Sequence, residues 1–148
     1  MRHGPAADRA PSGRDFDRPL TPQGREAVAN VARALRALRA DDPLRVLASP
    51  LLRAQQTAEV VRAIAAPNAV IETRDELAAD EPPALGLVSE LAALGEDALL
   101  VGHQPAVEAL VRSLCCGAPE LASGFRTAMI ACLSPHGDDG WTLDGVLI

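Results

Sequence analysis

Two short β-prone runs, Leu44–Ala48 and Ala98–Val101, each end within a few residues of a proline that opens a helical pattern. Ser49-Pro50 follows the first run, and Gly102-His103-Gln104-Pro105 follows the second. A chain that alternates strands with helices builds a largely parallel sheet with helices laid over it. Ala98-Leu99-Leu100-Val101 carries no polar residue, the pattern of a strand covered on both faces. The predicted fold is therefore α/β, a three-layer sandwich with a mostly parallel central sheet and helices on both faces. A C-terminal hairpin supplies an antiparallel edge. Residues 1–148 are read as a single domain.

Aromatic residues are only 2% of the chain (Phe16, Phe125 and Trp141), so the core must come from Leu, Val, Ile and Ala. Thr21 caps a helix over 21–40, with Pro22 at its first position and Val28, Val31, Leu35 and Leu38 at helical spacing. Asp41-Asp42-Pro43 stops it. Ser49-Pro50 repeats the cap-then-proline signal and opens a helix to Ala65, with Ala54, Ala58, Val61 and Ile64 inward. Ala69–Glu72 is a second strand and 74–83 a loop. Helices over 83–94 and 105–115 follow, the former ended by Gly95. Residues 125–133 and 141–148 form the hairpin around a turn at 135–140.

Ligands of such sheets bind at the carboxyl ends of the strands. Those ends carry Ser49-Pro50 and His103, and Arg2-His3 would join them. Imidazole accepts a phosphoryl group at neutral pH because its free nitrogen is often unprotonated, which makes His3 the candidate nucleophile. Arg2 offers permanently charged, planar donors to phosphate oxygens. Gly4 lets the backbone approach a bound group. Arg53, in the first turn of its helix, lies where free N–H groups and the helix dipole already favour an anion. His103, buried beside arginines, would stay neutral and donate to an equatorial oxygen. Gln104 beside it and Arg18 at the rim complete the set as substrate-binding residues. His136 lies in a turn and needs no function.

The strings Arg2-His3-Gly4, Arg18-Pro19-Leu20-Thr21, Ser49-Pro50-x-x-Arg53-Ala54-x-x-Thr57-Ala58 and His103, in that order, resemble the histidine phosphatase superfamily. The small SixA-type phosphohistidine phosphatase branch is the nearest in pattern. The resemblance implies phosphoryl transfer through a phosphohistidine, with His3, Arg2, Arg53 and His103 converging on one phosphate-sized site. Many superfamily members carry a glutamate two residues after a leucine in the central loop, which protonates the leaving oxygen. Here Leu77 is followed by Ala78 and Ala79, with Asp80 and Glu81 one and two positions further on. An alkoxide needs that proton, whereas the nitrogen of a phosphohistidine can depart as neutral imidazole. The expected activity is therefore a metal-independent phosphatase, without cofactor, acting on phosphohistidine of a protein such as a phosphotransfer domain. Two alternatives stay open: a phosphatase of small phosphoesters using Asp80 or Glu81 as acid, and a non-catalytic phosphate-binding module.

The resemblance also implies a buried strand directly before Arg-His-Gly, lying between the strands at 44–48 and 98–101. Only Met1 precedes it here. The expectation is that the natural protein carries apolar, β-prone residues before Met1, or that another segment or chain fills the slot. Net charge of −6 argues against a nucleic-acid partner. Cys115, Cys116 and Cys132 show neither metal spacing nor a disulfide framework and read as free thiols. No run is long and apolar enough for a membrane span and no leader precedes the first motif, so the cytoplasm is expected.

Overall fold

The computed structural model describes residues 1–39, 43–115, 124–136 and 140–148. Its elements run α1 (Pro22–Arg39), β1 (Arg45–Ala48), α2 (Leu52–Ala65), β2 (Ile71–Thr73), α3 (Leu85–Leu94), β3 (Ala98–Val101), α4 (Ala106–Leu114), β4 (Ile130–His136) and β5 (Gly140–Leu147). The α/β architecture is as expected. Strands β2, β1 and β3 form a parallel sheet in that order, and β4 pairs with β5 in an antiparallel hairpin.

The alternation of strand side chains distributes the helices. Val46 and Ala48 of β1, with Leu99 and Val101 of β3, face the core built by Val28, Val31 and Leu35 of α1 and Ala54, Ala58 and Val61 of α2. Leu47, between them, points to the other face and meets Leu87 and Leu91 of α3. Val107 and Val111 of α4 pack with Phe125, Met129 and the hairpin. Without aromatics to fill volume, small Ala side chains bring α2 close to the sheet.

Helix starts and stops follow local chemistry, with one exception. Thr21 caps α1, its Oγ1 accepting the Gly24 N–H at 2.9 Å. Gly95 closes α3 at φ 65°, the left-handed region where glycine has no Cβ penalty. The stop at Asp41-Asp42 and the turn residues 137–139 lie outside the described residues. The exception is Ser49: α2 begins at Leu52, and Ser49 makes no cap at its first turn. At the hairpin, Phe125 lies ahead of β4, buried against α4, and β4 extends to His136, which is exposed. Of the cysteines, Cys115 is buried and Cys132 half-buried, neither in a disulfide among the described residues, while Cys116 lies outside them.

The expected slot between the strands at 44–48 and 98–101 does not exist. β1 and β3 pair directly in register from Arg45↔Ala98 to Ala48↔Val101. Met1–His3 lies instead on the other edge of β3, between it and the segment entering β4. The Met1 ammonium donates to Leu100 O at 2.7 Å, Gly102 N–H donates to Met1 O, and His3 N–H donates to Gly102 O. On the far side Arg2 N–H donates to Met129 O and Ala128 N–H to His3 O. Three residues thus act as a short central strand, bridged in parallel to Gly102. Behind Met1, a groove of about 530 Å³ continues between β3 and β4, lined by Leu99, Leu100, Ile130, Cys132, Leu35 and Leu91 among others. The buried Met1 amine at its head has its pKa lowered to about 5 by desolvation.

Candidate active site

Three chain segments end at the same edge of the sheet. β1 delivers Ser49, β3 delivers Gly102-His103, and the N-terminal segment running alongside β3 delivers His3. The His3 and His103 rings lie 5.0 Å apart, centroid to centroid, and both are buried. Arg53, on the first turn of α2, is buried to the guanidinium, its side chain 5% exposed. The charges of Arg53, Arg2 and Arg18 all bear on His3.

Each imidazole has one nitrogen committed. His3 Nδ1 lies 2.7 Å from Gly4 O, and a carbonyl only accepts, so Nδ1 carries the proton. Nε2 of the neutral ring then holds the free lone pair. His103 Nε2 lies 2.8 Å from Ser49 Oγ. Ser49 Oγ also accepts the Leu51 N–H, and in the tautomer where the Ser49 hydroxyl donates to Nε2 the His103 ring proton sits on Nδ1. That Nδ1 is buried without a protein partner. The serine the sequence suggested as a helix cap therefore orients the second histidine.

Both rings are held neutral. Desolvation is the main cause for His3, with a hydrogen bond to Gly4 opposing it and the three arginines reinforcing it, and the pKa falls to about 4. For His103, desolvation leads, followed by the proximity of His3 and Arg53, and the pKa falls to about 3. An imidazole pair kept unprotonated among guanidiniums can offer one lone pair to phosphorus and one N–H to a phosphoryl oxygen.

The remaining candidate residues divide. Arg2 donates from Nη1 to Phe125 O at 3.0 Å, and the Gln104 amide donates to the same oxygen at 3.1 Å and to Glu108 at 2.8 Å. Glu108 also accepts the Phe125 N–H, so this carboxylate pins the loop that braces Arg2. The Gln104 amide nitrogen is thus engaged in bracing. Gly4 is close-packed: a Cβ there would meet Val28 Cγ2 at 2.6 Å and Gly24 O at 3.0 Å. Glycine at 4 is thus explained by the passage of the Arg-His-Gly segment over α1. Arg18 donates to Ala7 O and lies 2.7 Å from Asp15 Oδ1. Asp80 and Glu81 are exposed in the loop after Leu77.

Three participants escaped the sequence reading. Thr57 accepts the Gly4 N–H and donates to Arg53 O, tying nucleophile segment to α2. Its spacing, four residues after Arg53 on one helix face, was a usable signal. Glu108 stands one turn beyond Gln104, a similar signal. Asp15, whose carboxylate lies 3.0 Å from Arg53 Nη2, gave none, because only the folded loop brings it there. Among the described residues, no cluster of three or more His, Cys, Asp or Glu could hold a metal ion, and no helix is long and apolar enough to cross a membrane.

Residues 1–79 match the model of the histidine phosphatase superfamily, branch 1. The protein histidine phosphatase SixA, solved with tungstate, is 33% identical, with 99% of this chain and 93% of that one covered at a TM-score of 0.82. The SixA protein of Agrobacterium tumefaciens is 29% identical over 100% of this chain and 94% of its own, also at 0.82. An uncharacterised protein of Picosynechococcus sp. is 49% identical over 63 residues, 43% of this chain. That match spans only 38% of the cyanobacterial protein's length. With Arg-His-Gly beside β3, a second histidine at its end and an arginine on the first turn of α2, the chain belongs to the histidine phosphatase superfamily and structurally resembles its SixA phosphohistidine phosphatases.

Proposed function

We propose that this chain, acting as one catalytic domain, hydrolyses phosphohistidine on a protein partner through a covalent intermediate on His3. The observation that carries the reading is the pair of buried, neutral imidazoles 5.0 Å apart within reach of three arginines' charges. In the first step His3 Nε2 attacks phosphorus, and the substrate's imidazole, already protonated on its other ring nitrogen, leaves with the bonding pair as a neutral ring. Arg53 and Arg2 hold the equatorial oxygens, and His103 Nδ1–H donates to one of them. Water then attacks the phosphorus, releasing inorganic phosphate and restoring the His3 lone pair.

Two features favour a phosphohistidine over an alkyl phosphate. The position that many relatives fill with a glutamate is Ala79, and Asp80 and Glu81 are exposed in their loop. Asp15, the carboxylate at the site, is bound to arginine and held below the usual carboxylate range, so it is a poor proton donor. The solved SixA relative supports the same substrate class. The decisive experiment is incubation with a phosphorylated histidine-containing domain, followed by acid quench and base quench of the enzyme. An acid-labile, base-stable phosphoenzyme that disappears in His3→Ala is expected. Release of phosphate without such an intermediate would overturn the covalent route. The small-ester reading predicts comparable turnover of alkyl and aryl phosphates, whereas a site without an acid hydrolyses the aryl compounds alone. Chelators are expected to leave the rate unchanged.

A further inference from the structure

Asp15 lies in an exposed 3₁₀ turn, Asp15–Asp17, against Arg53 and Arg18. One carboxylate oxygen lies 3.0 Å from Arg53 Nη2 and the other 2.7 Å from Arg18 Nε. Its backbone carbonyl accepts Arg53 Nη1 at 2.9 Å. The turn is stapled from within by Ser12 Oγ donating to Asp17 at 2.6 Å and Arg14 Nε donating to the same oxygen at 2.7 Å. A planar anion with one oxygen toward each of two guanidiniums is what these arginines would offer a phosphoryl group. Asp15 does so with a side chain 62% exposed, so the carboxylate can swing to water without unpacking anything.

We infer that Asp15 is an internal competitor for the phosphoryl group, an anion that occupies Arg53 Nη2 and must be displaced when a ligand's oxygens arrive. The carbonyl of Asp15 keeps Nη1 aimed meanwhile, so the arginine does not lose its place. The competitor charges every phosphoryl ligand the same toll. A substrate with further contacts, such as a protein surface around its phosphohistidine, binds firmly in spite of it, while free phosphate binds weakly. Asp15 thus lowers the affinity of the site for phosphoryl ligands in general and weakens retention of the phosphate product. The inference rests on the phosphatase reading, since Arg53 is taken as a phosphoryl-binding residue.

The test is calorimetric titration of inorganic phosphate into the full chain, the Asp15→Asn variant and an Asp17→Asn control, with thermal melts to confirm folding. Neutralising one like charge beside the anion is expected to tighten phosphate binding by about tenfold in Asp15→Asn. Asp17→Asn should change it little. In turnover assays, Asp15→Asn should also show stronger inhibition by added phosphate. Weaker binding in Asp15→Asn would make Asp15 a support of Arg53 and overturn the inference, as would unchanged binding. Both outcomes leave the phosphatase reading standing if the unsubstituted protein hydrolyses phosphohistidine. No phosphate binding by either the unsubstituted protein or Asp15→Asn would overturn the inference, and hydrolysis of phosphohistidine by the unsubstituted protein judges the phosphatase reading separately.

Discussion

His3 and His103 depend on burial for their chemistry, and burial makes them sensitive to acid. In the unfolded chain an imidazole titrates near 6.5, whereas here the rings protonate only near 4 and 3. Between those values the unfolded state binds more protons, so stability falls as pH drops below about 6.5 and is level above it. NMR titration of the His3 and His103 ring signals should show no midpoint near 6.5, and chemical denaturation should show stability declining from pH 6.5 to 4. A midpoint near 6.5 in either ring would mean that the site is open to water. His3→Ala should abolish turnover, and Arg53→Ala should reduce it by roughly 10²–10³ with the fold intact. A His3→Ala protein that still turns over would rule out His3 as nucleophile.

At the level of elements, the site depends on contacts between the Arg-His-Gly segment and the two helices beneath it. Gly24, inside α1, would place a Cβ 2.0 Å from Pro5 O, so the segment can pass only over a glycine there. Gly24→Ala is expected to cost about 2–3 kcal/mol and to lower turnover by displacing His3, read from urea midpoints and steady-state rates. Thr21→Ala, which removes the α1 cap, should cost about 1 kcal/mol and leave turnover near normal. If Gly24→Ala proved as mild as Thr21→Ala, the close passage would not be positioning the nucleophile.

At the scale of the whole molecule, an apolar-lined groove lies behind Met1. It continues the line of Met1–His3 between β3 and β4, and a buried amine stands at its head. A chain lengthened by four apolar, β-prone residues before Met1 should replace that amine with a peptide and cover the half-buried Leu100, Ala131 and Leu133. Such an extension is expected to raise stability by about 2 kcal/mol or more, measured by thermal and urea unfolding. No gain would show that the groove cannot take a strand.

Most of the architecture was legible in the chain, because strand and helix signals are local. The run Ala98–Val101 became β3 with the bounds read from it, and Thr21-Pro22 and Gly95 marked helix ends through backbone chemistry that needs no distant partner. The order of histidine and arginine motifs likewise pointed to phosphoryl chemistry, since few residue types can do it. Strand order was not legible. Which edge of β3 receives Met1–His3 depends on non-local hydrogen bonds with Leu100, Gly102 and Met129, and no periodicity encodes that choice. Nor could the sequence show that Ser49 would serve His103 rather than a helix, or that Asp15 would reach Arg53 across 38 positions. Those pairings were decided by tertiary packing, which brings together groups whose separation along the chain carries no information about their separation in space.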